Sequence, residues 1–383
     1  MIIPTPLPSH TSPLPPINLA LQGGGSHGAF TWGVLDKLLE DGRFTLEGIS
    51  GTSAGAMNAV ALAHGMAMAA GKPADQVRES ARASLKRFWD GVVHLGALST
   101  SISKAQQLPL DILFGGFKAL TGASSPGQMM TEAMGSLWST TLSPYQTNPL
   151  NLNPLKDLLE RQIDFERLAA SKACQVFVVA TAVSTGKAEV FSGKRLTAKA
   201  VMASACLPTL FRAIEIDGEH YWDGGYSGNP AIHPLIYQCQ SRDIVLVQIN
   251  PLKRDSVPTT AGEILDRLNE ITFNAALMSE MRAIDFVKRL LHEGKLDATR
   301  YKDVLMHRID GGATLDAYTA SSKSATDAKL IYALCALGQQ CAEQWLHKKS
   351  SAVGTTSSIS IAHDYLDALR VPVARDTPPH SAL

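Results

Sequence analysis

Three short clusters carry groups suited to nucleophilic chemistry. The pentapeptide Gly51-Thr52-Ser53-Ala54-Gly55 is a G-x-S-x-G pattern. On a sharp strand-to-helix turn, such a pattern holds a serine hydroxyl exposed, with flanking glycines avoiding clashes. A second cluster, Gly23-Gly24-Gly25-Ser26-His27-Gly28, falls between an apolar run and a helix-like run. Glycines there bring amide N–H groups close to an anion, and the following helix adds its positive end. The third cluster is Trp222-Asp223-Gly224-Gly225. A serine alcohol needs a base to become nucleophilic, and Asp223 supplies one if the fold brings it to Ser53.

Each cluster has a plainer reading. The serine pattern arises by chance about 0.2 times in a chain of this composition, and a serine also caps helices. Asp-Gly-Gly is often just a turn. Gly23, Gly25 and Gly28 satisfy G-x-G-x-x-G, a dinucleotide fingerprint. That fold wants an acid about 20 residues on, at the tip of the second strand. Glu47 has the spacing but lies inside the strand, and the serine cluster holds the tip. Two clusters in one β-α-β-α unit are a stronger signal than either alone.

The elements around them are readable from periodicity. Ile17 to Gln22 and Phe44 to Ser50 read as buried strands, Ala29 to Glu40 as a helix, and the Ala-rich run after Ser53 as a buried helix. Residues 73–95 look helical, Pro154 to Ala170 a helix, and Cys174 to Val183 a β-branched strand with Ala188 to Phe191 available to pair. Arg212 to Trp222 reads as a hairpin around Asp217-Gly218. Asp243 to Asn250 and Val304 to Ile309 read as strands, Ile264 to Leu291 as a long amphipathic helix, and 326–348 as a closing helix.

This arrangement resembles the patatin-like phospholipase family over most of residues 17–310. The family pattern is a G-G-G-x-[RK]-G loop, a G-x-S-x-G elbow and a D-G-[GA] motif. They match Gly23 to Gly28, Gly51 to Gly55 and Asp223 to Gly225, in the family's order. Ala203-Ser204-Ala205-Cys206-Leu207-Pro208 resembles the A-S-x-x-x-P stretch before the family's aspartate. The resemblance implies a three-layer α/β/α fold with a mainly parallel central sheet. It implies a Ser53–Asp223 dyad that hydrolyses acyl esters of lipids through an acyl-serine. Residues Gly23, Gly24, Gly25, Ser26, His27 and Gly28 would form the oxyanion hole. The substrate expected is a phospholipid or another acyl-ester lipid. No cofactor or metal is implied.

One departure stands out. The family carries Arg or Lys in the loop where this chain has His27. An unperturbed histidine titrates near pH ~6.5, so its charge would assist the loop only in acid. His220 and His233 flank Asp223, making a Ser-His-Asp triad the rival mechanism. An acyltransferase on the same acyl-serine, and a non-catalytic nucleotide- or lipid-binding module, are the alternative functions.

Composition sets the boundaries. The 383 residues are 45% hydrophobic and 18% charged, which excludes a disordered chain. Lys+Arg and Asp+Glu both number 35, so nothing suggests a nucleic-acid partner. The five cysteines form no C-x-x-C pair, which points to core thiols in a reducing compartment. Residues 1–16, with six prolines, read as a disordered leader and not as a signal peptide. Residues 17–310 read as the hydrolase domain, with an insertion at about 99–155. Residues 105–155 hold only Asp111, Lys118 and Glu132 as charges, as expected for a stretch that packs on the core or faces lipid. Residues 311–348 read as a helical extension and 349–383 as a flexible tail. A cytoplasmic protein with transient membrane contact is expected; no oligomeric state is indicated.

Overall fold

The computed structural model describes residues 14–101, 144–147, 153–254, 256–318, 322–323 and 325–366. The leader before residue 14, most of the low-charge insertion and the last 17 residues lie outside the described residues.

Alternation along the strands dictates the layers. In β1 (Pro16–Leu21), Ile17, Leu19 and Leu21 enter one apolar cluster and Ala20 another. In β3 (Gln175–Ala182), Val176, Val178 and Ala180 join the first cluster and Phe177 the second. Strands buried on both faces read as continuous apolar runs, which is how a helix-covered parallel sheet looks in sequence. The remaining strands are β2 (Thr45–Thr52), β4 (Ala188–Phe191), β5 (Ile214–Ile216), β6 (Glu219–Asp223), β7 (Asp243–Gln248) and β8 (Leu305–Asp310). The sheet order is β5-β6-β3-β2-β1-β7-β8, with β4 also paired to β3. Pairings among β3, β2, β1, β7 and β8 are parallel; those of β4, β5 and β6 are antiparallel. Helices flank both faces in an α/β fold.

One face carries α1 (Gly28–Asp41), α2 (Ala54–Met68), α3 (Ala74–Ser101), α4 (Pro154–Gln162), α5 (Ala198–Ser204) and α7 (Ala328–Lys348). The other carries α6 (Ala261–His292) and the short helices His233–Gln238 and Ile361–Asp364. A capping box starts α6, with Thr260 and Glu263 exchanging side-chain and backbone bonds. The β5–β6 hairpin turns at Asp217 (φ 54°) and Gly218 (φ 82°). Both residues are left-handed, as a two-residue hairpin turn requires.

Two expectations change. The segment beyond 310, read as an extension, is part of the first layer: Leu334, Cys335 and Trp345 of α7 share the apolar cluster with α1. Residues 349–366, read as tail, are packed. Ile361 and Tyr365 are buried under the second face, and the Tyr365 hydroxyl donates to Gln248 Oε1 at 2.6 Å. Two apolar anchors outweigh a Ser/Thr-rich composition here. All five cysteines are free thiols. Among the described residues no helix is long and apolar enough to cross a membrane.

Candidate active site

Ser53 stands between β2 and α2 at φ 54°, ψ −122°. A non-glycine residue held there costs about 1–3 kcal/mol and persists only where its surroundings enforce it. The enforcement is visible. The Ser53 N–H donates to Ser204 Oγ at 2.9 Å, and its carbonyl accepts from Met57 N at 3.1 Å. A Cβ on Gly51 would collide with the Gly55 carbonyl, and one on Gly55 with the Leu21 carbonyl. The flanking glycines are therefore required by close backbone approach.

Strand register brings Asp223 to this turn. On β3, Val179 pairs with Thr52, the end of β2, and the next residue, Ala180, pairs with Asp223, the end of β6. The two strands thus end on opposite sides of β3, at neighbouring positions along it. Gly224 fits where they join: a Cβ there would lie 3.0 Å from the Thr52 methyl and collide with the Val179 carbonyl. Asp223 is buried and fixed by its backbone, with its N–H on the Cys206 carbonyl at 2.7 Å and its carbonyl receiving Thr181 Oγ1 at 2.8 Å.

Its carboxylate is only half satisfied. Oδ1 accepts the Gly225 N–H at 2.7 Å, while Oδ2 has no hydrogen-bond partner among the described residues. Burial pushes the Asp223 pKa up to about 7, partly opposed by the Gly225 N–H and the Ser53 hydroxyl. That hydroxyl is thus close enough to favour the carboxylate without making a bond of ordinary geometry to Oδ2.

The glycine-rich loop closes the site from β1. A Cβ on Gly23 would lie 2.7 Å from the Ser53 Cβ, so only glycine lets the loop touch the elbow. Gly25 has φ 57° and opens the helical turn into α1. Not every amide in the loop faces outward. Gly23 donates to Asn229 Oδ1 at 2.6 Å, His27 to the Gly24 carbonyl at 3.2 Å, and Gly28 to the carbonyls of Gly25 and Ser26. Those three are therefore removed from the expected set of oxyanion donors.

His27 is 2% exposed, with Nε2 2.7 Å from Ser322 Oγ and its ring edge-on to Tyr318. Burial, reinforced by the charges of Lys323 and Arg254, lowers its pKa to about 3. The expectation of ordinary titration is overturned: burial and the neighbouring charges hold His27 neutral near pH 7. The flanking histidines are engaged elsewhere. His220 is exposed on the hairpin, and His233 Nδ1 lies 3.4 Å from Glu280 Oε1. Glu47, weighed for a dinucleotide, instead receives the N–H groups of Gln240 and Ser241.

Sequence reasoning missed the supports of the loop. Asn250 Nδ2 donates to the Gly23 carbonyl at 2.8 Å, and Gln22 Oε1 accepts from the backbone of Ile249 and Asn250, each at 2.9 Å. Ser204 had a signal, its place in the A-S-x-x-x-P stretch. Asn229 and Asn250 had none, being single polar residues in loops. A cavity of about 380 Å³ is lined by Ala205 and Cys206, which follow Ser204 in the chain, while Ser53 and Asp223 are not among its lining residues. Met202, Cys206 and Phe211 give it an apolar side, and Lys156, Lys199 and Arg212 bring positive charge against Glu215.

A family model described as Patatin-like phospholipase matches residues 19–236, more than half of the chain. No curated protein sequence matches it. Among solved structures, the crystal structure of VipD from Legionella pneumophila is similar, with 18% identity and a TM-score of 0.40 over 88% of this chain and 67% of that one. The matched span contains the glycine loop, the serine elbow and the Asp223 turn, and the chain belongs to the patatin-like phospholipase family.

Proposed function

We propose that this chain is a lipid acyl hydrolase that works through a Ser53–Asp223 dyad. The observation that carries the reading is the register on β3, where Thr52, the residue before the strained Ser53, and Asp223, with its half-satisfied buried carboxylate, pair with adjacent positions, beside the influence of the Ser53 hydroxyl on that carboxylate. Asp223 Oδ2 takes the Ser53 proton as Oγ attacks the ester carbonyl. The N–H groups of Gly24 and Gly25 hold the oxyanion; one good donor contributes about 3–4 kcal/mol. Collapse of the tetrahedral adduct expels the alcohol, which receives the proton from Asp223. Asp223 then activates water against the acyl-Ser53 carbonyl, and the fatty acid leaves. A dyad is favoured over a triad because His220 and His233 have other surroundings and His27 is held neutral against Ser322.

The substrate fits an amphiphile. The cavity beside Cys206, whose backbone holds the Asp223 N–H, has an apolar side of acyl-chain character and a basic side of phosphate-binding character, although it is not lined by Ser53 or Asp223 themselves. Exposed Ile264, Leu268 and Ile271 form a stripe on α6, the helix whose Phe273 packs against Tyr226 beside Asp223. That stripe supports contact with a lipid surface.

Labelling by a fluorophosphonate, abolished in Ser53→Ala, tests the nucleophile. A panel of phospholipid, lysophospholipid, triacylglycerol and p-nitrophenyl esters then assigns the substrate. No label on Ser53 and no Ser53-dependent turnover would leave a binding module; transfer to an added alcohol exceeding hydrolysis would make it an acyltransferase.

A further inference from the structure

Two neighbouring residues far along the chain grip the glycine-rich loop. Ser322 Oγ meets His27 Nε2 across a separation of 295 positions. The Lys323 carbonyl packs so closely on Gly25 that a Cβ there would collide with it. The Lys323 ammonium donates to Asn250 Oδ1 at 2.8 Å, and Asn250 Nδ2 donates to the Gly23 carbonyl at 2.8 Å. That carbonyl belongs to the same peptide group as the Gly24 N–H. We propose that Lys323 is the cation of the oxyanion loop, a positioning residue that polarises the Gly24 N–H through Asn250 and the Gly23 carbonyl.

The role rests on the hydrolase reading, in which Gly24 faces the oxyanion. Hydrogen bonds in a chain strengthen one another by roughly 10–30% each. A charge at the far end, in surroundings of low dielectric, adds its field to the same N–H. The loop has no such charge of its own, since His27 stands where the family has Arg or Lys and is neutral. Arg254 is held by Glu270 through two bonds, at 2.6 and 3.2 Å, so its charge is largely answered. Lys323 donates instead to a neutral amide.

Among the described residues, the charged or titratable groups facing Lys323 are Asp266 and Glu270 on α6, Arg254 on the loop after β7, and His27. Burial lowers its pKa; Glu270 and Asp266 pull the other way, and Arg254 reinforces the lowering. The ammonium therefore loses its proton below the ordinary lysine value of about 10.4.

The full chain is assayed on a soluble ester, with background hydrolysis subtracted. Lys323→Met is expected to lower kcat about 10–100-fold with KM within about threefold, the split of an interaction that strengthens in the transition state. Lys323→Arg should keep kcat at pH 8 within about fivefold. The wild type should lose kcat on the alkaline side as Lys323 deprotonates, and Lys323→Arg should abolish that limb. An alkaline limb unchanged in Lys323→Arg, or a folded Lys323→Met with unchanged kcat, overturns the proposal. If Lys323→Met does not fold, the arginine variant and the wild-type pH profile decide alone. Absence of Ser53-dependent turnover in the wild type sinks the hydrolase reading as well; turnover indifferent to Lys323 sinks only this one.

Discussion

Asp223 is pulled in two directions. Chemistry needs it ionised to accept a proton, and burial favours the neutral acid, with a pKa of about 7. Turnover should accordingly rise with pH through about 7, to a plateau bounded only by the alkaline limb assigned to Lys323, as a pH–kcat/KM profile would show. An acid limb centred near 4 would mean that a carboxylate in water, not Asp223, is the base. Ser53→Ala and Asp223→Asn should each cost at least about a thousandfold in kcat, and the double variant no more, because the two act as one unit.

The same burial has a stability signature. A carboxyl whose folded pKa exceeds its unfolded value, about 3.9, favours the fold fully below that value. The contribution is lost as pH rises through about 7. Asp223→Asn carries no such penalty. Its stability advantage over the wild type should open between pH 4 and 7 and reach roughly 4 kcal/mol, read from urea unfolding at several pH values. Equal stability at pH 8 would show that the Asp223 carboxylate is better solvated than its burial implies.

At the scale of elements, α6 divides into two halves. Leu277, Met281 and Ile284 are buried against the sheet, whereas Ile264, Leu268 and Ile271 are 43%, 53% and 52% exposed. Its apolar periodicity was readable from the sequence as one amphipathic helix, but the pattern cannot tell a face that meets the core from one that meets lipid. Leu268→Glu and Ile271→Glu should reduce turnover on phospholipid vesicles about tenfold or more and alter soluble-ester turnover less than about twofold. Equal losses on both substrates would assign the stripe to folding. The elbow, the hairpin and the aspartate turn were legible because local rules write them: the glycines flanking Ser53, the Asp217-Gly218 pair, and the glycine pair after Asp223. The supports were not. Asn229, Asn250 and Lys323 matter through partners 73 to 227 positions away, and no local pattern marks such residues. The tail failed for the opposite reason, its Ser/Thr content masking Ile361 and Tyr365.

Across the whole molecule, α1 links the catalytic loop to the C-terminal layer. Gly33 faces the Cys335 carbonyl and Gly338 the Phe30 carbonyl, so α1 and α7 touch through backbone. Such contact leaves no room for a methyl group. Gly338→Ala should lower stability by about 1–3 kcal/mol, measured as a shift in urea midpoint at unchanged m-value. No change in midpoint would show that the helices slide apart at little cost.

The grip of Ser322 on His27 also fixes an order of events in the life of the chain. Synthesis runs from the N-terminus, so loop, elbow and aspartate exist before Ser322 and Lys323 have been made. The early part of the chain can lay down β1, β2 and β3 but cannot fasten the loop that serves them. A ribosome-bound fragment ending before residue 322 thus carries the nucleophile and the base without the clasp. For a protein proposed to cleave acyl-ester lipids, this delays the finished site until residues 322 and 323 have joined the chain.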